Sequence, residues 1–113
     1  MIEWVNLTDE NQLDFIKSES ASQPQVIFKH STRCSISSMA KGRLERSPVP
    51  PEVKFYFLDL IRYRSLSNKV EQAFLVQHES PQVLVIKNGE CIYDESHNGI
   101  TMDEIEETVS KQL

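Results

Sequence analysis

The chain has 113 residues and a formal net charge of −5, with 39% hydrophobic and 26% charged residues. That length suits one compact domain over residues 1–113, and the acidic balance argues against a nucleic-acid partner or an anionic membrane surface. The sequence has no run approaching the roughly 18 apolar residues of a membrane span, and from Met1 onward we expect no signal peptide.

Strand and helix signals alternate along the first part of the chain. A short apolar stretch from Trp4 to Leu7 predicts an opening strand. Thr8 predicts the N-cap of a helix, with Asp9 and Glu10 in its first turn. A β-branched and aromatic run over 25–29 predicts a buried strand.

The next helix follows that strand directly. Its apolar positions recur at helical spacing, at Ile36, Met39, Ala40 and Leu44. A proline-rich connector over 47–51 ends this helix. The run over 53–61 gives the longest strand signal, so we expect this strand to be central in the sheet.

The second half predicts a third helix, a hairpin and a last helix. The third helix has an apolar side formed by Leu66, Val70, Ala73 and Phe74. Strands over 83–86 and 90–94 flank Asn88-Gly89, a strong hairpin signal, and Asn98-Gly99 predicts another turn. Thr101 and Glu104 form a capping box for a helix whose apolar side consists of Met102, Ile105, Val109 and Leu113.

This order of elements defines a fold class. Strands that alternate with helices predict parallel pairing through helical crossovers, and the hairpin predicts an antiparallel edge. We therefore expect an α/β fold of thioredoxin-like architecture, with a mixed central sheet flanked by helices in the order βαβαβαββα.

Cys34 is the principal candidate for chemistry. It follows the carboxyl end of the strand over 25–29, where open α/β sheets bind ligands, and it lies where a helix begins. The free N–H groups of a helix start stabilise a thiolate, and Arg33 adds a positive charge, with Lys29 and His30 also near in sequence. The alternative is that Cys34 packs as a small buried side chain.

Ser37 occupies the place of a resolving cysteine in a C-x-x-C motif. A serine hydroxyl is too weakly acidic to break a mixed disulfide at neutral pH, so an outside thiol must release whatever Cys34 has captured. Ser37 either donates a hydrogen bond to the Cys34 thiolate or is a serine on the helix surface. Cys91, on the edge strand, is expected to be a buried and unreactive thiol. Two such separate cysteines form no disulfide framework, and reduced thiols favour a cytoplasmic location.

The remaining titratable residues suggest no metal site. His30, His78 and His97 lack the spacing of metal ligands, and each is expected at the surface or at a cap. The acidic residues of the last helix are expected on its solvated face: Asp103, Glu104, Glu106 and Glu107.

Three segments of the chain resemble one known family. They are FKHSTRCSIS (28–37), DLIRYRSLSNKV (59–70) and HESPQVLVIKNG (78–89). The sequence resembles the bacillithiol-system redox proteins of the YtxJ type, the monothiol bacilliredoxins, over nearly its whole length. One departure is Ser35, which stands where the family often has a proline after the cysteine.

The resemblance implies a function and a set of site residues. Cys34 would attack the mixed disulfide of a bacillithiolated client protein and take bacillithiol, the co-substrate, onto its own sulfur, with no tightly bound cofactor. Pro81 would form a cis peptide bond facing Cys34, and the Ser80 backbone would pair with an extended substrate segment. Thr32 and Arg33 would border the binding groove, and Arg33 could meet a bacillithiol carboxylate.

Two alternatives to this function remain open on the sequence. An iron–sulfur carrier similar to monothiol glutaredoxins would need the C-G-F-S pattern, and here no glycine or aromatic residue follows Cys34. A non-enzymatic thioredoxin-like adaptor, or a redox sensor whose thiol is only modified, needs the same reactive cysteine. Catalytic turnover with excess bacillithiol distinguishes a transferase from a sensor.

Overall fold

A computed structural model describes residues 2–111 of the chain. The strands are β1 (Trp4–Asn6), β2 (Gln25–His30), β3 (Lys54–Asp59), β4 (Gln82–Lys87) and β5 (Glu90–Ser96). The helices are α1 (Asn11–Glu19), α2 (Ser35–Arg46), α3 (Arg64–Phe74) and α4 (Met102–Ser110), with a 3₁₀ turn at His97–Gly99. The predicted order βαβαβαββα is confirmed, whereas the predicted contribution of Leu113 to the last helix lies outside the described residues.

The five strands form one sheet in the order β1-β3-β2-β4-β5. The central strand is β2, so the prediction that the long strand over 53–61 is central was wrong. Every residue of β2 is buried, whereas three of the six in β3 are only partly buried. Strand β3 pairs with β2 on one side and with the three-residue β1 on the other.

The direction of β4 determines which strand ends lie together at one edge of the sheet. β1, β3 and β2 run parallel, but β4 runs antiparallel to β2, with Lys29 opposite Gln82. The prediction that each helix leads into a parallel strand was therefore wrong for α3 and β4. Because α3 returns the chain to the edge of the sheet that it left, β4 begins where β2 ends.

Helices cover both faces of the sheet. One apolar core lies between the sheet and helices α1 and α3, and the other lies between the sheet and helices α2 and α4. Along β2, Ile27 belongs to the first core, and Val26 and Phe28 belong to the second. Since side chains alternate along a strand, Lys29 points to the α1/α3 face and His30 points to the α2/α4 face.

The start of α1 differs from the prediction. The helix begins at Asn11 rather than after a Thr8 cap, and no side chain caps it at Glu10. Instead, the side-chain oxygen of Gln12 accepts the backbone N–H groups of Thr8 at 2.8 Å and Asp9 at 3.0 Å. A residue already inside the helix therefore satisfies the two donors that precede it.

Helix α2 turns a different side to the core than its apolar residues suggest. Its buried residues are Ser37, Ala40 and Leu44, whereas Ile36 is 37% exposed and Met39 is 59% exposed. The periodicity correctly predicted a helix, but two of its four apolar positions face solvent.

The C-terminal signals mostly hold. Asn88 and Gly89 both have positive φ and join β4 to β5 as predicted. Thr101 caps α4 by accepting the backbone N–H of Glu104 at 3.3 Å, and the four acidic residues of this helix are exposed as expected. Asn98-Gly99 lies in the 3₁₀ turn. Within residues 2–111, no helix is long and apolar enough to cross a membrane.

One strained residue follows α3 and allows a test of the backbone geometry. Leu75 has a φ of 58° in the left-handed region, and its side chain is 90% exposed. Leu75→Gly should raise the free energy of unfolding by about 0.5 kcal/mol, because relief of roughly 1 kcal/mol of strain exceeds the added flexibility of the unfolded chain. Urea denaturation measures this, with Leu75→Ala as the control that keeps the strain. Equal stability of the two variants would contradict the left-handed conformation.

Candidate active site

Cys34 is the N-cap of α2, at the carboxyl end of the central strand. Its backbone is extended, with φ −113° and ψ 120°, and its side chain makes no capping hydrogen bond. Its N–H donates to the Ser31 carbonyl at 3.2 Å, and its carbonyl accepts the Ser38 N–H at 3.1 Å. The thiol is free and half-buried. It therefore lies beside the unpaired N–H groups of the first helical turn, which favour a negative charge.

Ser37 lies beneath the first turn of α2 and is fully buried. Its hydroxyl oxygen accepts the Ser31 N–H at 3.0 Å and lies 2.7 Å from Nδ1 of His30. The surface position considered for this serine was wrong, and its hydroxyl is bonded to these two partners rather than to Cys34. Ser37 thus ties the helix start to the loop over 31–33 and to the end of β2.

His30 is the third member of this buried contact, so the expectation that it lies at the surface or at a cap was wrong. It is 5% exposed, and its ring lies 5.9 Å from that of Phe28 and 5.3 Å from that of Phe57. Burial, and then the charge of Lys41, lower the pKa of His30 below its ordinary value. The neutral ring can then accept the Ser37 O–H at Nδ1 while Ser37 accepts from Ser31.

The loop before β4 reaches the same place from the other side. The Ser80–Pro81 peptide bond is cis, as expected. The loop over 31–33 precedes Cys34, and we call it the cysteine loop. Since Lys29 pairs with Gln82, one more step of that register places Pro81 beside His30, at the base of the cysteine loop. The Pro81 carbonyl accepts the N–H of His97 at 3.0 Å, and the buried Ser80 hydroxyl has no partner among residues 2–111.

The surface around Cys34 is both polar and apolar. Thr32 and Arg33 precede the cysteine and are exposed. Ile36 and Met39 add exposed apolar area on the adjoining turns of α2. Their exposure next to the thiol was not predicted, although their spacing was visible in the sequence.

Cys91 is far from Cys34. It pairs with Ile86, which pairs with Gln25 at the opposite end of β2 from the site, roughly 17 Å along the strand. Its thiol donates to the Tyr93 carbonyl at 3.3 Å, and burial raises its pKa to about 11. Cys91 is therefore a protonated, half-buried thiol that cannot reach Cys34 in this fold.

Sequence reasoning missed a second polar cluster near the site. The sequence indicates Lys29 only as a charge near the thiol and His78 only as a surface or capping residue. In the structure their side chains meet on the α1/α3 face. The alternation of β2 could have assigned the face of Lys29, but no local signal identifies a partner 49 positions away. In the described part of the chain, no group of three or more side chains is arranged to hold a metal ion.

The sheet order, the cysteine at the helix start and the cis-proline beside it define a thioredoxin-fold protein with one thiol at the active position. A proposed oxidoreductase with a thioredoxin fold is 26% identical, with a TM-score of 0.76 over 91% of this chain and 90% of that one. Thioredoxin Mala s 13 of Malassezia sympodialis is 16% identical, with a TM-score of 0.73 over 98% and 91%. Spinach chloroplast thioredoxin f is 14% identical, with a TM-score of 0.69 over 96% and 92%.

The family is defined by sequence as well. The chain belongs to the monothiol bacilliredoxin family BrxC, whose family model matches residues 5–105. The predicted family and the thioredoxin-like fold are thereby confirmed. Family and fold together support a thiol oxidoreductase.

The contact beneath the helix start can be tested by stability. Ser37→Ala leaves the buried Ser31 N–H and the Nδ1 of His30 without a partner, so it should lower the free energy of unfolding by about 2 kcal/mol. Chemical denaturation measures the change. Ser38→Ala, one position further along and exposed, should leave stability unchanged or slightly raised. Equal stability of the two variants would show that the contact contributes nothing.

The lowered pKa of His30 predicts a loss of stability in acid. Below the ordinary histidine pKa of about 6.5 the unfolded chain binds a proton before the native chain does, so stability falls as pH decreases through that value. The pKa of His78 is also lowered, chiefly by burial, and acts in the same direction. His30→Gln should lose less stability than wild type between pH 7 and 5. An unchanged acid dependence in His30→Gln would contradict the assignment.

Proposed function

We propose that this protein is a monothiol thiol-disulfide oxidoreductase that removes bacillithiol from mixed disulfides on client proteins. The observation that carries the proposal is the isolation of Cys34, a half-exposed thiol at a helix start with no second cysteine in reach. Membership in the bacilliredoxin family supports bacillithiol as the small thiol.

The first step is a disulfide exchange at Cys34. Its thiolate attacks the bacillithiol sulfur of the client's mixed disulfide, and a new S–S bond forms between Cys34 and bacillithiol. The client sulfur leaves as a thiolate and takes a proton from solvent. The N–H groups at the start of α2 stabilise the attacking thiolate, and they later stabilise Cys34 as a leaving group.

The second step needs a thiol from outside the chain. A free bacillithiol thiolate attacks the bacillithiol bound to Cys34, which yields bacillithiol disulfide and the free enzyme. Ser37 cannot replace that thiol, because a hydroxyl is not ionised at neutral pH and this one is bonded to His30 and Ser31. The intermediate should therefore persist when no outside thiol is present.

The site offers contacts for both parts of the substrate. The loop at Ser80 and Pro81 can pair with the client backbone, and exposed Thr32 lies two residues before Cys34. Exposed Ile36 and Met39 can cover apolar client surface, and Arg33 can meet a carboxylate of bacillithiol. The chain would act in the cytoplasm on bacillithiolated proteins, with bacillithiol as its co-substrate and no tightly bound cofactor.

The test follows the mass of each partner. Wild type, Cys34→Ser and Cys91→Ser are each incubated with a bacillithiolated client and analysed by intact-protein mass spectrometry. Wild type and Cys91→Ser should each gain one bacillithiol as the client loses one, whereas Cys34→Ser should do neither. With excess free bacillithiol, one equivalent of enzyme should clear many equivalents of client, which a passive sensor would not do.

Two results would contradict the proposal. A client that stays capped in the presence of wild type would exclude transfer and leave the adaptor. A Cys34→Ser variant as active as wild type would remove Cys34 from the mechanism.

A further inference from the structure

A second buried polar cluster lies behind the active site on the α1/α3 face. Lys29, one residue before His30, is fully buried, and its Nζ lies 3.2 Å from Nδ1 of His78. Ser67 on α3 places its hydroxyl 3.3 Å from the same nitrogen. The proposed exchange steps use none of these side chains. Among residues 2–111, the Lys29 amine has one side-chain hydrogen-bond partner. Burying an amine with so few partners is costly, so its presence calls for an explanation.

His78 belongs to the segment over 75–81, which we call the proline loop and which connects α3 to β4. The backbone N–H of His78 donates to the Glu71 carboxylate at 2.9 Å, while the His78 ring contacts Lys29 of β2. One residue earlier, the Gln77 carbonyl accepts from the side-chain amide of Gln82 at 3.0 Å. The loop is therefore tied by polar contacts to the helix before it, to the strand after it and to the central strand.

These contacts matter for position because the loop has little apolar anchoring between α3 and Pro81. Leu75 is 90% exposed, Gln77 and Glu79 are exposed, and Val76 is only partly buried. A loop so weakly packed depends on its hydrogen bonds to hold one conformation. Its far end carries Ser80 and Pro81, which lie beside the cysteine loop.

We propose that Lys29 and His78 are positioning residues. They hold the proline loop at the distance from Cys34 at which a client segment can pair with the loop. This inference rests on the proposed function, because it assigns to the loop the client segment of a protein mixed disulfide. Lys29 and His30 then act as a pair in the central strand. On one face of the sheet, Lys29 fixes the position of the proline loop through His78. On the other face, His30 fixes the position of the cysteine loop through Ser37.

The alternative is that the cluster serves stability alone. A buried lysine is a poor way to stabilise a core, since an apolar side chain of similar volume is often equal or better at such a position. The two explanations predict opposite results for Lys29→Met. A positioning role predicts weaker docking in a fold at least as stable, whereas a stability role predicts a less stable fold with unchanged docking.

The test uses one cysteine peptide as two mixed disulfides, with bacillithiol and with the coloured thiol 5-thio-2-nitrobenzoate. In Lys29→Met, the half-saturating concentration of both peptides should rise about ten-fold, with the maximal rate within about two-fold of wild type. Gln25→Met, which replaces a buried polar side chain on the same strand and face at the far end, should match wild type. The alkylation rate of Cys34 by iodoacetamide should be the same in all three proteins.

Variants of His78 test the contact from the other side. His78→Gln keeps an acceptor for Lys29 and should stay within about three-fold of wild type, whereas His78→Phe should weaken docking about ten-fold. The double variant Lys29→Met/His78→Phe should be no weaker than His78→Phe, because one contact can be lost only once. If the two substitutions multiply their effects on the half-saturating peptide concentration in the double variant, the proposal is wrong. If Lys29→Met does not fold, the difference between His78→Gln and His78→Phe decides the question.

The two peptides separate this inference from the proposed function. If wild type reacts with the coloured peptide but not with the bacillithiolated one, the bacillithiol function fails, and the Lys29→Met result still decides the positioning role. If wild type accepts both peptides and Lys29→Met docks them equally well, the positioning role is wrong and the proposed function stands.

Discussion

The antiparallel pairing of β4 with β2 is the constraint on which the active site depends. It places the first residues of β4 against the last residues of β2, so that the loop carrying Pro81 meets the loop carrying Cys34. A parallel β4 would have begun at the opposite edge of the sheet, about 17 Å away. The site is therefore a consequence of strand direction, and no segment contains it alone.

The central strand completes this arrangement because its side chains alternate. Two consecutive polar residues close β2, and each reaches a partner on a different face: His30 reaches Ser37 under α2, and Lys29 reaches His78 before β4. An apolar strand end would pack equally well but would not select one position for either loop. Directional hydrogen bonds add that selection, since a buried donor left without its acceptor is costly.

Much of this could be predicted from the sequence, because the strand and helix signals are local. The apolar periods gave the order of elements, and the position of Cys34 followed from the strand before it. The place of β3 in the sheet could not be found this way, since the length of a strand signal says nothing about the neighbours that it acquires.

The helix faces and the polar contacts needed tertiary information. Helical spacing placed Ile36 and Met39 on an apolar side, but the sequence does not state which side a helix turns to the sheet when a buried serine lies between them. The burial of Ser37 depends on His30, which lies on another element. The sequence does show that His30 lies two residues after Phe28 and so shares its face of the strand. The partner of Lys29 is 49 residues away, and only the return of the chain through α3 brings it near.

The protonation of Lys29 shows how stability and site geometry are related in this fold. Burial lowers its pKa from 10.5 to about 8, and Glu71 opposes that shift only in part. The native chain thus releases this proton at lower pH than the unfolded chain does, so this group's contribution to stability increases from about pH 8 to pH 10.5. At neutral pH the native chain keeps the ammonium form at a cost in stability. Selection for stability alone would favour an apolar residue there, whereas an ammonium group donates a directed hydrogen bond to the ring that holds the loop.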